Sequence, residues 1–203
     1  MIEIVLLLIF LAGYGAYSLK AKTQKRRIAL LATHLGQYQV EKLMETLTQG
    51  YLRALGEKEP ERQAQIFNLL ASSEQQLCEQ FDRFVAGFAK IETHDALVST
   101  FPVFIPEAQR FFPANTFDMR QMLAVHGQGI RRVINNQAQL APKSRAFMLS
   151  AELFLMQHSC HWYCRSKTVA SGRMLARHQT SHVQLLAAVS SETRQAYGAL
   201  VGP

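Results

Sequence analysis

The feature that most constrains this chain is its start, where sixteen residues from Ile4 to Leu19 carry no charged side chain. As a helix they would rise about 24 Å, slightly less than the roughly 30 Å hydrocarbon core of a bilayer. Ile2 extends the apolar run, and Tyr14 and Tyr17 occupy positions typical of an interfacial aromatic belt. Residues 1–19 are therefore predicted to form a single transmembrane anchor.

Five cations follow the apolar run at once, and this basic collar over residues 20–27 is predicted to contact lipid headgroups. Cations beside a membrane helix keep their side of the helix in the cytoplasm. The amino terminus is therefore expected on the outer side of the cell membrane, and the chain after the anchor is expected in the cytoplasm. The collar consists of Lys20, Lys22, Lys25, Arg26 and Arg27.

The alternative for the same segment is a cleaved signal peptide. Ala16-Tyr17-Ser18 resembles a weak cleavage motif, but the residues before the apolar run lack the positive charge of a signal-peptide n-region. Three cysteines in 203 residues provide no disulfide framework and agree with a reducing compartment. We therefore predict an uncleaved single-pass membrane protein.

The remaining residues, 28–203, are predicted to form an all-α bundle of four to six helices. With 48% hydrophobic residues the chain is not disordered. One helix is expected from Ile28 to Leu55, and Gly56 to Pro60 separates it from the next. That next helix carries a heptad seam suited to packing in a bundle. The seam is Ile66, Leu70, Ser73, Leu77, Phe81, Phe84, Phe88 and Ile91.

An irregular crossover rich in proline and phenylalanine interrupts the helices over residues 92–116, where three prolines forbid a continuous helix. Its phenylalanines either form a lid over one end of the core or remain exposed for docking or membrane contact. As contact residues for a partner protein we predict Phe101, Phe104, Arg110, Phe111 and Phe112.

Helical periodicity returns after the crossover and continues to the end of the chain. Asn115 or Thr116 is expected to cap the next helix, and Ser190 or Ser191 the last one. A turn is expected near Ala170, although a single helix continuing through it is also possible. No alternating apolar run of strand length is present, so no β-sheet is expected.

The charge is distributed unevenly between the two halves of the chain. Residues 1–106 hold eleven cations and eleven anions, whereas residues 107–203 hold eleven cations and four anions. Such an excess indicates an anionic neighbour. Beside a membrane that neighbour is expected to be lipid headgroups. Nucleic acid is not expected, because the cations are dispersed and no recognition motif is present.

Four histidines form the one cluster that could bind a cofactor. His158 and His161 lie on one predicted helix, and His178 and His182 are spaced four apart on the next. If the chain reverses near Ala170, His158 faces His182 and His161 faces His178. The four imidazoles could then bind a transition metal or haem, although no carboxylate lies near enough to support the ligands.

The sequence favours a non-enzymatic role, because it contains no nucleophile elbow, phosphate-binding glycine loop or metalloprotease motif. The preferred function is a membrane-anchored scaffold that docks or assembles a partner protein, without a cofactor. One alternative is a metal- or haem-binding redox protein that uses the four histidines. The other is a protein that binds anionic lipid or nucleic acid through its basic second half.

Overall fold

The computed structural model describes residues 2–202, so Met1 of the predicted anchor and Pro203 of the predicted bundle lie outside it. The described residues are helical almost throughout, which confirms the all-α prediction at the level of fold class. The helices are α1 Ile2–Leu35, α2 Val40–Gly56, α3 Pro60–Phe88, α4 Thr93–Ala96, α5 Ala108–Phe111, α6 Met119–Ile134, α7 Pro142–Cys164, α8 Lys167–His178, α9 His182–Ala188 and α10 Ser191–Val201.

Helix α1 has 34 residues, and its amino-terminal part extends away from the bundle. It is the one helix of residues 2–202 that is long and apolar enough to cross a membrane, and its most apolar 18-residue window has a mean hydropathy of 2.0 and is 0% buried. A signal sequence near an amino terminus meets the same criteria of length and hydropathy. The carboxyl-terminal part of α1 packs against the bundle through Gln24, Arg27 and Leu31.

The helix predicted from Ile28 to Leu55 is two helices. The chain leaves α1 after Leu35 and starts α2 at Val40. Between them, the side chain of Gln80 accepts a hydrogen bond from the backbone nitrogen of Gln39 at 2.6 Å. The prediction was wrong here because it passed over Gly36, a poor helix former that directly follows Leu35. A side chain at this position would also approach the carbonyl oxygen of Ala32 to 2.7 Å. The predicted break from Gly56 to Pro60 is confirmed, since α2 ends and α3 begins at these residues.

The seam of α3 is buried at Leu70 and from Leu77 onwards, as predicted, but at its other two positions the next residue in sequence is buried instead. There Phe67 and Glu74 are buried, whereas Ile66 and Ser73 are only half-buried. The carboxylate of Glu74 is stable in the core because the Tyr51 hydroxyl donates to it at 2.6 Å. Arg145 of α7 completes the pairing with an ion pair at 3.0 Å.

The crossover contains a short antiparallel β-ribbon, which corrects the expectation of no strand. Strand β1, Leu97–Ser99, pairs with β2, Thr116–Asp118, so that Val98 lies opposite Phe117. Three residues per strand are too few to show a period-two pattern in sequence. Between the strands lie α5 and a 3-10 turn at Pro113–Asn115. The ribbon joins the two ends of the crossover.

Helix α7 runs through the centre of the bundle and contacts α1, α2, α6, α8 and α9. The cap of α6 is Asp118, whose carboxylate accepts from the Arg120 nitrogen at 2.8 Å, and not the predicted Asn115 or Thr116. Ser190 caps α10, as one of the two predicted alternatives. The expected turn near Ala170 lies five residues earlier, at Arg165 and Ser166, because Ser166 provides the cap of α8.

Candidate functional site

The junction between α1 and the bundle is built on two arginines of the predicted collar. Arg27 is 6% exposed and donates to the carbonyl oxygen of Leu97 at 2.6 Å and that of Tyr163 at 3.3 Å. Burial lowers the pKa of Arg27, against the raising effect of Tyr163 and nearby Cys164. Arg26 forms an ion pair with Asp95 at 2.7 Å. These two cations therefore bind α1 to the bundle, and Arg27 is not available to lipid headgroups.

The other collar cations remain exposed, and two of them line a cleft between α1 and the start of α8. Lys20 and Lys25 face Arg165 and Arg173 across a space of about 610 Å³. We call this space the basic cleft, and its remaining lining is Tyr17, Ala21, Gln24, Ile28 and Val169. Lys22 is exposed outside it.

Sequence reasoning missed the two arginines of the basic cleft, because they lie about 140 residues from the collar in the chain. The excess of cations in the second half was the only signal of them. The structure brings Arg165 to α1 through a hydrogen bond from its guanidinium to Gln24 Oε1 at 2.7 Å. The guanidinium of Arg173 is oriented by a 3.3 Å contact with His161 Nδ1 of α7.

The predicted aromatic contact residues divide into a packed pair and an exposed pair. Phe104 is half-buried 5.9 Å from the Arg27 guanidinium, and Phe101 packs edge-on against Phe112 with ring centroids 5.3 Å apart. Phe111 and Phe112 are 67% and 45% exposed. Phe101 and Phe104 are therefore partly covered by Phe112 and Arg27, whereas Phe111 and Phe112 form the more exposed part of the segment.

The crossover is anchored to the bundle next to the basic cleft. The carbonyl oxygen of Pro102 accepts from the backbone nitrogen of Thr168 at 3.0 Å and from its hydroxyl at 2.8 Å. Val103 follows with 60% of its surface exposed, and Arg110 is also exposed. The exposed crossover residues Val103, Arg110, Phe111 and Phe112 are together called the aromatic face below.

Two of the four predicted histidines meet inside the bundle. The rings of His158 and His182 stack with centroids 4.3 Å apart. His158 Nε2 lies 3.1 Å from the Ser171 hydroxyl, and His182 Nε2 lies 3.0 Å from the Tyr197 hydroxyl. The sequence placed these two histidines opposite each other across one hairpin near Ala170. In the structure the chain turns twice between them, once between α7 and α8 and once between α8 and α9.

The other two histidines have separate partners. His161 contacts Arg173, whereas His178 stacks on Phe154 with centroids 4.1 Å apart and lies 3.2 Å from Gln157 Oε1. Within residues 2–202, no group of three or more histidine, cysteine, aspartate or glutamate side chains is arranged to hold a metal ion. The structure therefore assembles one imidazole pair and not a four-histidine cluster.

A third buried histidine, His126 of α6, extends this polar region and was missed in the sequence. Its Nε2 lies 2.9 Å from the hydroxyl of Ser159, which donates to the Leu155 carbonyl at 3.1 Å. Because the serine proton is used on that carbonyl, His126 Nε2 is the donor to Ser159. Its only sequence signal was a position on the apolar side of α6, where buried residues surround it.

The buried histidines are neutral near pH 7. Burial lowers the pKa of His158 and of His126 to about 3, and that of His182 to about 4. Lys167 further lowers the pKa of His158 and His182. The region therefore stabilises the bundle through stacked neutral rings and hydrogen bonds.

The cysteines beside the histidines are protonated thiols. Burial raises the pKa of Cys160, and it raises that of Cys164 to about 11. A thiol of this kind is a weak nucleophile, since the thiolate is the reactive form.

No family model, curated protein or solved structure matches this chain.

Proposed function

We propose that this protein is a single-pass membrane protein whose helical bundle docks a partner protein at the cytoplasmic face of the membrane. Helix α1 carries the apolar segment and the docked segment without a break. The bundle therefore keeps a fixed orientation relative to the part of α1 that enters the bilayer. A fixed orientation is what a docking protein needs in order to present one face to its partner.

The charges next to the apolar segment support the cytoplasmic placement. Lys20, Lys22 and Lys25 are exposed immediately after it, where positive residues retain a chain on the cytoplasmic side. The three cysteines, Cys78, Cys160 and Cys164, are free, as expected in a reducing compartment.

The observation that carries the docking proposal is the exposure of adjacent phenylalanines in a segment whose backbone is fixed. Phe111 and Phe112 are exposed although the β-ribbon and the Pro102–Thr168 contacts restrain the crossover on either side. Aromatic residues and arginine are enriched at protein interfaces, and Arg110 lies beside this pair. The cationic excess of the second half favours a partner with an acidic surface.

The test is recovery of partner proteins from membranes in mild detergent with the Phe111→Ala/Phe112→Ala variant. We expect at least a roughly tenfold loss of specific partners, because central aromatic residues supply most of the energy of an interface. Phe147→Ala is the matched control, since Phe147 is 60% exposed on α7, away from the crossover. If Phe147→Ala removes the partners and the double variant retains them, docking occurs on the flank of the bundle and the proposed surface is wrong.

The metal- or haem-binding alternative is supported only by the stacked pair of His158 and His182. His158 Nδ1 is buried without a hydrogen-bond partner among residues 2–202, and an unpartnered imidazole nitrogen can ligate a metal. Elemental analysis and an absorption spectrum of the purified full chain test this alternative. A stoichiometric metal or a Soret band that is lost in His158→Gln would establish it in place of docking.

A further inference from the structure

From the basic cleft we infer a binding site for the phosphate headgroup of one anionic phospholipid, with α1 on one side and α8 on the other. This inference depends on the proposed placement of α1 in the bilayer, but it does not depend on a partner protein. The sequence predicted only a diffuse contact between the collar and lipid headgroups. The inferred site is defined, and it includes Arg165 and Arg173, which are far from the collar in the chain.

The charges of the cleft require a counterion. Lys20, Lys25, Arg165 and Arg173 line it together, and no carboxylate is part of the lining. Within residues 2–202, none of the four forms an ion pair, although Arg26 and Arg27 next to them are both partnered inside the protein. Four cations around one space repel each other, and a bound phosphate would relieve that repulsion.

The two arginines are oriented for an anion in different ways. The guanidinium of Arg165 is positioned by Gln24 Oε1, and its other nitrogens have no partner among residues 2–202. The guanidinium of Arg173 is positioned by His161 Nδ1. Arginine binds phosphate through two parallel N–H donors, and preorganised side chains lose less entropy when they bind. The volume of about 610 Å³ is large enough for a phosphate and its alcohol substituent.

The position of the cleft favours a lipid over a soluble phosphate compound. Its outer edge is Tyr17, at the end of the apolar segment, so the cleft lies at the height where headgroups begin. The acyl chains of a lipid bound there could continue along the exposed apolar surface of α1, where Tyr14 is 66% exposed. Val169 and Ile28 add apolar contacts for the glycerol region. Basic pockets beside membrane helices commonly bind anionic lipids.

The experiment is a lipid titration of the purified full chain in a neutral detergent, followed by native mass spectrometry. Phosphatidylglycerol and phosphatidylcholine are compared, and we expect at least a roughly tenfold preference for the anionic lipid. Arg165→Gln/Arg173→Gln should lose that preference. Arg177→Gln/Arg194→Gln is the matched control, because it removes the same charge from exposed positions outside the cleft and should bind like the unaltered protein.

A second variant keeps the test decisive if the arginine variant does not fold. Lys20→Gln/Lys25→Gln alters only exposed residues of α1, and it should also lower the preference roughly tenfold. Equal loss in the Arg177→Gln/Arg194→Gln control would show a response to net charge alone and would overturn the site. Retention of the preference in both cleft variants would overturn it as well.

A competition arm separates a lipid from a soluble phosphate, and glycerol 3-phosphate and inorganic phosphate are the probes. We expect neither to displace phosphatidylglycerol at equal concentration. Displacement by either would assign the cleft to a soluble phosphate and would contradict the lipid site. Alkaline extraction of membranes reports separately on α1, and partner recovery reports separately on docking, so failure of the lipid site is distinguishable from failure of the proposed function.

Discussion

Single side chains determine how α1 is joined to the bundle. Arg27 stands out because it is buried and satisfies two backbone carbonyls that belong to β1 and α7. A buried carbonyl that loses its donor costs free energy, because it has no water to replace the donor. The sequence showed Arg27 only as the last cation of a basic run, and nothing in the run distinguished it from its exposed neighbours.

We predict that Arg27→Met lowers the free energy of unfolding by about 2–3 kcal/mol, because the carbonyls of Tyr163 and Leu97, one buried and one partly buried, lose their donor. Chemical denaturation of the full chain in detergent measures the change. Lys22→Met is the control, since Lys22 is exposed on the same helix and should change stability little. Equal stability of the two variants would show that Arg27 does not join α1 to the bundle.

Two glycines in helices should respond to alanine in opposite directions. A methyl group on Gly129 would overlap the Glu152 carboxylate and the Thr193 hydroxyl, whereas one on Gly172 meets no atom. Gly129→Ala should lower the free energy of unfolding by about 1–3 kcal/mol, as overpacking does. Gly172→Ala should raise it by about 0.5–1 kcal/mol, because alanine favours the helix.

Thermal or chemical unfolding of both glycine variants provides the comparison. Gly129 is close to buried Glu152, whose pKa is raised by burial against the lowering effect of Ser190 and Thr193. A neutral or stabilising effect of Gly129→Ala would mean that α6, α7 and α10 pack less closely than described.

At the scale of elements, helices with a clear apolar period and the connection from Gly56 to Pro60 could be predicted, whereas the other connections could not. The period of apolar residues located α3 and α6, and Gly56 with Pro60 marked the end of α2. The break after Leu35 has one local signal, Gly36, and is supported by the contact between Gln39 and Gln80. The β-ribbon has no periodic signal, because each strand has three residues. The sequence brought His158 and His182 together only for a chain reversal near Ala170, whereas the structure reverses at Arg165 and Ser166. The cleft arginines required the tertiary fold.

The packing of α7 with α6, α9 and α10 should weaken in acid. An unfolded histidine titrates near pH 6.5, whereas burial lowers the pKa of His158 and His126 to about 3 and that of His182 to about 4. Between these values the unfolded chain binds more protons than the folded chain. Stability is therefore highest above pH 6.5 and decreases as the pH falls, by at most about 1.4 kcal/mol per pH unit for each histidine.

Unfolding of the full chain between pH 7 and pH 5 measures this dependence. His158→Gln should reduce the slope, because one buried titrating group is removed. Gln65→Ala is the control, since Gln65 is an exposed residue of α3 without a titrating side chain and should leave the slope unchanged. The same slope in all three proteins would contradict neutral buried imidazoles.

At the scale of the molecule, the exposed apolar part of α1, the basic cleft and the crossover lie toward the same end of the bundle. An exposed apolar helix leads into the bundle, and the basic cleft and the aromatic face both adjoin the start of α8. The net charge of +7 comes from the second half, which contributes Arg165 and Arg173 to the same region. These features place the exposed apolar helix and the basic cleft at one end of the bundle, as the proposed contact with an anionic membrane surface requires.

The most direct test of the account is protease protection of an epitope at the carboxyl terminus of the full chain, in intact cells and after the membrane is opened. We predict that the tagged chain is full-length, stays in the membrane pellet, and is digested only once the membrane is open. A chain shortened near Ser18, released as a soluble protein, or digested from outside intact cells would contradict the anchored cytoplasmic bundle.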